Sequence, residues 1–195
     1  MEVRRAVGNR YGARETVMKH SLIWFVGGLI LTGCSTFDTP RYSVSADTVT
    51  ALRMLNGKTI NVGMFTSSKP EEMTEIACRA AGPVKPPDGQ TFHGFIRKAL
   101  IDELKMANVF SESAPVTLTG NLNNIDFSST SGTWVLSLTV TSSNGQSATV
   151  DETYSFDPSY AAVTACAQTA QAFVPAVQDL IGKLVGGRDF QRLVN

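Results

Sequence analysis

Histidine is scarce in this chain, with two copies among 195 residues. Only His93 lies beyond the N-terminal segment, and a Ser-His or Cys-His catalytic arrangement would depend on it. No serine stands in a Gly-x-Ser-x-Gly pattern. No cysteine and histidine have the close spacing of a zinc site. We therefore expect no cofactor, no metal and no enzymatic activity, and we predict His93 as a surface residue in the first turn of a helix.

The chain also lacks an apolar run long enough for an ordinary transmembrane helix, which needs about 20 residues. Residues 21–31 (SLIWFVGGLIL) form an apolar run of eleven residues without a charge. Lys19 and His20 precede this run, and small residues at 32 and 33 follow it. A basic start, a short apolar core and small residues are typical of a signal peptide.

The end of the apolar run, Leu31-Thr32-Gly33-Cys34, resembles the lipobox of bacterial lipoproteins. The resemblance implies that residues 1–33 are a signal peptide and that Cys34 is acylated at the start of the mature protein. Ser35 follows Cys34, and the absence of Asp there favours the outer membrane, with the domain in the periplasm. The alternative is a generic signal peptide or a single-pass anchor with a chance cysteine. Met18 also begins a complete short signal of this kind, so it is a candidate translation start.

Charge is balanced over the whole chain, with 17 basic and 17 acidic residues. Residues 1–33 contain five of the basic and two of the acidic residues, which leaves 12 basic and 15 acidic from Cys34 onward. A mildly acidic mature protein argues against nucleic acid as a partner, because nucleic-acid binding favours a basic patch. The lipobox resemblance instead implies contact with the membrane through acyl chains on Cys34, and we expect another envelope protein as the partner.

Cysteine is limited to three residues, and two of them, Cys78 and Cys166, lie beyond the lipobox. Since the periplasm is oxidising, we predict a disulfide between them. Two buried free thiols are the alternative.

Hydrophobic periodicity predicts one α/β domain over 47–195, preceded by a polar tether at 34–46. The predicted elements are a short helix at 47–55, a strand at 59–65, an ambiguous segment at 76–84, a helix at 91–108, strands at 116–128, 133–141 and 148–156, and a helix at 158–185. We expect a bulge near Asn123-Asn124 and a kink or break at Pro175.

The order β-α-β-β-β-α predicts an α+β two-layer sandwich. A mainly antiparallel four-stranded sheet would carry two long helices on one face, with Thr, Ser and Asn on the other. This element order resembles small envelope lipoproteins, among them the lipopolysaccharide-assembly lipoprotein that plugs its transport barrel and the lipoprotein activators of peptidoglycan synthases. No motif inside the domain matches either family, so the resemblance transfers no functional residue.

The leading functional hypothesis is a non-enzymatic binding or assembly module at the outer membrane. One alternative is an anchored cell-wall or glycan hydrolase, for which the candidate carboxylates are Asp102, Glu103, Asp126, Asp151 and Glu152. Another is a carrier of an apolar ligand, held in a pocket lined by Phe92, Leu100 and Phe173. We expect Glu152 to guard an edge strand against pairing or to face a partner.

Overall fold

The structure is a computed structural model that describes residues 35–55 and 57–195. The predicted signal peptide and its lipidation site at Cys34 lie outside the described residues. The elements in chain order are β1 (Phe37–Asp38), α1 (Ala46–Arg53), β2 (Ile60–Ser67), β3 (Ile76–Cys78), β4 (Gly82–Lys85), α2 (Phe92–Met106), β5 (Val116–Ser128), β6 (Thr133–Ser142), β7 (Ser147–Ser155), α3 (Ala162–Gly186) and α4 (Phe190–Leu193).

The main sheet has four strands in the order β2-β5-β6-β7. β5, β6 and β7 form an antiparallel meander, whereas β2 and β5 are parallel because α2 crosses between them. The sheet is therefore mixed, and the prediction of a mainly antiparallel sheet holds for two of its three pairings. The expected bulge is present, since the register of β5 against β6 shifts between Leu122 and Asn124.

A second sheet, in the order β1-β4-β3, was not predicted. The ambiguous segment 76–84 folds as a hairpin, in which Cys78 pairs with Gly82. β1 then adds parallel to β4, with Phe37 opposite Val84. The sequence predicts a tether over 34–46. From Phe37 onward this prediction is wrong, because the segment pairs with β4 and buries side chains against the rest of the domain.

The two long helices begin and end close to the predicted positions. Thr91 caps α2, its hydroxyl accepting a hydrogen bond from the Gly94 backbone N–H at 3.0 Å. Pro175 lies inside α3, yet α3 is one helix of 25 residues, so the predicted break is absent. Proline removes the hydrogen bond to the carbonyl of Gln171, which is exposed and can be hydrated instead.

α2 and α3 pack on the same face of the main sheet. Side chains along β6 alternate between the two faces of the sheet. Those on the helical face are all buried: Trp134, Leu136, Leu138 and Val140. Phe173 of α3 lies at the centre of the core, with its ring centroid 5.0 Å from Trp134 and 5.2 Å from Phe92. The Trp134 indole N–H donates to the Thr169 carbonyl at 2.8 Å, which satisfies its polar atom inside the core.

The structure joins Cys78 of β3 to Cys166 of α3 by a disulfide, the pairing that the sequence predicts. Their Cα atoms are 5.9 Å apart and 88 positions apart along the chain. The bond ties the second sheet to the first turns of α3.

Candidate functional site

The side chains proposed for catalysis are distributed over three elements, α2, β5 and β7. His93 is half-buried in the first turn of α2, where its Nε2 atom lies 3.1 Å from the Thr91 hydroxyl. Burial lowers the pKa of His93, which favours the neutral ring. Among the described residues, no serine or cysteine forms a hydrogen bond with His93. Asp102, on the same helix, pairs instead with Lys98 at 2.5 Å.

Glu103, one of the carboxylates proposed for hydrolysis, is buried beneath residues 42–45. Its Oε1 accepts hydrogen bonds from the Tyr42 hydroxyl at 2.7 Å and from the Ser45 backbone N–H at 2.6 Å. Burial, and after it the bond to Glu103, raise the pKa of Tyr42, which keeps the phenol a donor. This arrangement fixes the segment before α1 to α2, so we assign Glu103 a structural role.

Glu152 is also buried. The predictions that it guards an edge strand or faces a partner are therefore wrong, because its side chain points into the domain. It points from β7 toward α3, where Lys183 Nζ lies 2.7 Å from its Oε2 atom. Asp179, one turn before Lys183, belongs to the same cluster. Asp179 is exposed at the edge of this cluster, and its pKa is raised, first by partial desolvation and then by Glu152, whereas Lys183 opposes the rise.

The raised pKa of Asp179 makes its charge unfavourable in the folded state, so folding favours the protonated form. This unfavourable contribution is present at neutral pH and is relieved as the pH falls through the raised pKa. We expect Asp179→Asn to increase the free energy of unfolding slightly at about pH 7.5, because solvent screens an exposed charge, and to have less effect near pH 4, where a larger fraction of Asp179 is protonated.

Urea unfolding of wild type and Asp179→Asn at the two pH values measures this difference. Asp189→Asn is the control, because Asp189 is also exposed but pairs with Arg192 rather than lying beside Glu152. Equal effects of Asp179→Asn at both pH values would contradict the assignment.

Asp126 and Asp151 lie on the opposite face of the main sheet, and both are exposed. Asp126 is on β5 and Asp151 is on β7, with β6 between them. Of the five carboxylates proposed for hydrolysis, the structure thus gathers none into one groove. The carboxylates that do come close, Glu152 and Asp179, were not paired by sequence reasoning, because the contact depends on how α3 lies across β7.

The open face of the main sheet is the side that no helix covers. Its side chains are almost all Thr, Ser and Asn, as predicted: Thr117, Thr119, Asn121, Asn123, Thr133, Ser137, Thr139, Thr141, Thr149 and Thr153. Asp126 and Asp151 add two carboxylates to this face, and Val135 is an exposed apolar side chain on it, between Asp126 and Thr153.

Hydrogen bonds join the open face across its strands. The Asn123 amide donates to Thr139 at 2.8 Å, and the hydroxyls of Thr139 and Thr149 lie 2.8 Å apart. On the other side, the Asn121 amide donates to Asn123 at 2.7 Å, and the Thr66 hydroxyl donates to Asn121 at 2.9 Å. A connected network of short side chains orders this surface before any ligand arrives, which lowers the entropic cost of binding.

The two edges of the main sheet differ. The β2 edge is occupied: Ile60 exchanges backbone hydrogen bonds with residues 109 and 111, and Arg97 donates to the carbonyls of Val62 and Gly63 at 3.0 and 2.6 Å. β7 is the last strand on the other side, and within the described ranges no strand pairs with its outer edge. Along the nine residues of β7, alternate residues bond to β6, and the others direct their backbone groups to this unpaired edge beside the open face.

The residues proposed to line an apolar ligand pocket are packed in the core. Phe92, Leu100 and Phe173 are buried, and the Phe92 and Phe173 rings are in edge-to-face contact. The surface grooves are instead open to solvent. One of about 760 Å³ is lined in part by Glu71, Ile76 and Arg79. Another, of about 660 Å³, lies between α1 and α3, and its lining includes Asp47, Asp179 and Lys183.

Over residues 35–55 and 57–195, no group of three or more His, Cys, Asp or Glu residues could hold a metal ion. No helix there has the length and apolar character needed to cross a membrane.

The chain forms an α+β domain with a polar sheet face that no helix covers and one sheet edge that no strand pairs with. No protein-family model matches the chain, and no curated protein matches it. Among solved structures, it is similar to the crystal structure of protein XCC0632 from Xanthomonas campestris, of family DUF330. The TM-score is 0.48 at 10% sequence identity, over 80% of this chain and 99% of that chain. A similarity of this size does not identify a function.

Proposed function

We propose that the chain is an outer-membrane lipoprotein, anchored through acyl chains on Cys34, whose periplasmic domain is a non-enzymatic binding module for another envelope protein. The observation that carries the binding role is the ordered, uncovered face of the main sheet beside the free edge of β7. The lipobox resemblance supports an anchor at Cys34. Acyl chains there would bind the protein to the membrane, since each buried CH₂ contributes roughly 0.8 kcal/mol.

The partner docks by adding an extended strand to the outer edge of β7. Free backbone groups along β7 would supply the hydrogen bonds, and alternate side chains would supply the selectivity. The exposed neighbours Thr149, Asp151 and Thr153 favour a partner strand whose side chains on that face are polar or basic. Because Glu152 points inward to Lys183, it leaves the outer edge of β7 clear of its charge.

Site-specific photocrosslinking in intact cells tests this role. A photoreactive residue at Thr149 or Thr153 is expected to give a discrete adduct with an envelope protein, identified by mass spectrometry. The matched control positions are Ala167 and Gln171, which are also exposed but lie on the helical side of the domain. We expect the adduct to be lost when Cys34→Ala removes the anchor. Recovery of monomer alone from both β7 positions would refute the binding role.

A further inference from the structure

The chain enters the domain against the β3–β4 hairpin. The Ser35 carbonyl oxygen packs so closely on Gly82 that a Cβ atom at residue 82 would lie 1.8 Å from it. Gly82 also has φ +140°, a conformation that residues with a Cβ rarely adopt. Two positions later, Phe37 is already paired with Val84. The first described residue is therefore held on the body of the domain, next to the hairpin turn.

Arg79, in the hairpin turn, connects this entry point to two other loops. It has a left-handed backbone (φ 50°), and its guanidinium donates to the Ser129 hydroxyl at 2.9 Å and the Ser129 carbonyl at 3.0 Å. It also donates to the carbonyls of Ser159 and Tyr160, at 3.2 and 3.1 Å. One side chain thus fixes the β5–β6 turn and the loop before α3 at the same end as Ser35.

The loop that Arg79 fixes presents apolar side chains to the outside. Tyr160 has a relative accessible surface of 106%, and Val163, in the first turn of α3, is 62% exposed. Arg79 reaches Tyr160 only through its backbone carbonyl, so the loop is held while the ring stays uncovered. A loop held by several hydrogen bonds with its largest side chain fully exposed is organised for contact with another surface.

The position of the acyl anchor indicates that the other surface is the membrane. An acyl anchor on Cys34 would be joined covalently to Ser35, the residue that lies at the Arg79 end of the domain. The interfacial layer of a bilayer is about 5–8 Å thick on each side of the hydrocarbon core, and an acylated residue sits within it. Tyrosine is a side chain that concentrates in this layer, because its ring is apolar and its hydroxyl is polar.

We propose that Tyr160 and Val163 form a second membrane contact, in which the Arg79 end of the domain rests on the lipid interface beside the acyl anchor. This inference rests on the acylation of Cys34 in the proposed function. This contact orients the domain so that it extends away from the bilayer. The end of the domain farthest from the membrane is then the one that contains the C-terminus of α2. Ile60 bonds to Val109 just after that terminus and pairs with Val116, the first residue of β5. β5 has 13 residues and spans roughly 40 Å before it reaches the Arg79 end.

Tryptophan fluorescence in vesicles tests the contact. The full chain is expressed in a bacterial host, extracted from membranes and reconstituted with phosphatidylcholine brominated close to the headgroup. Tyr160→Trp is expected to show blue-shifted emission that the brominated lipid quenches. Met106→Trp is the matched control at the far end, where Met106 is 52% exposed, and it should be quenched no more than wild type. The native Trp134 is fully buried and supplies a constant background.

Intact mass and vesicle flotation separate the two proposals. If the protein is acylated and floats, but the Tyr160→Trp and Met106→Trp variants are quenched equally, the membrane contact is wrong and the anchor stands. If the mass shows an unmodified Cys34 and the protein does not float, both proposals fail. Quenching of the Tyr160→Trp variant alone, in acylated protein, supports the contact. A docking partner cannot produce this result, since the vesicles contain no other protein.

Discussion

Removing the Cys78–Cys166 disulfide is expected to lower the free energy of unfolding by about 4–5 kcal/mol, as the chain-entropy model gives for a loop of 88 residues. Most of this loss arises in the unfolded chain, which gains freedom when the loop opens. The remainder arises locally, because the disulfide is the covalent link between the β3–β4 hairpin and α3. A loss of this size is a large fraction of the roughly 5–15 kcal/mol by which domains are stable.

Urea unfolding of the double variant Cys78→Ala/Cys166→Ala measures the change against oxidised wild type. Wild type under reducing conditions is the matched control and should unfold near the double variant. The single variant Cys78→Ala should behave like the double variant, since either change opens the loop. A loss below about 1 kcal/mol would show that the disulfide does not constrain the unfolded chain as the model requires.

The regular elements of this domain were predictable because their hydrophobic period is local. In β6, alternate residues from Trp134 to Val140 are buried, and the sequence alone shows this period. The same holds for the apolar stripe of α2, whose predicted bounds of 91–108 compare with Phe92–Met106 in the structure. The open face also follows from the alternation, since the residues between the apolar ones are Thr, Ser and Asn.

The segment before α1 was not predictable because its partners are distant in the chain. Residues 35–46 are polar and include a proline, a composition typical of linkers. Phe37 finds its strand partner 47 positions later, at Val84. Tyr42 finds its hydrogen-bond partner 61 positions later, at Glu103. Periodicity contains no signal for such contacts.

The buried carboxylates show the same limit at the site. Glu103 and Glu152 were both candidate carboxylates for hydrolysis, and Glu152 was expected to guard an edge or face a partner, yet both are buried in the domain. Donors from residues 42 and 45 satisfy Glu103, and Lys183 pairs with Glu152. The role of Arg79 was equally hidden, since its left-handed backbone and its loop contacts appear only once the β3–β4 hairpin has formed.

Truncating Phe173 is expected to have the second large effect. Phe173→Ala should lower the free energy of unfolding by about 3–5 kcal/mol, the usual loss for a buried phenylalanine. Phe173 contacts Phe92, Phe95 and Trp134 at centroid distances of 5.2, 5.1 and 5.0 Å, so its removal leaves a cavity in the middle of the aromatic core. Urea unfolding measures the loss, with Phe173→Leu as the conservative variant and Tyr160→Ala as the exposed aromatic control.

This measurement also decides whether the space between sheet and helices serves a ligand. A carrier holds its ligand in an open pocket, so truncating a lining side chain would enlarge the pocket at little cost to stability. A packed core instead loses both the buried ring and the contacts around the cavity. We therefore expect Phe173→Ala to be far more costly than Tyr160→Ala, which changes a fully exposed position. Similar small losses for the two variants would contradict the packed core and favour a carrier; a large difference favours recognition at the outer surface of the domain.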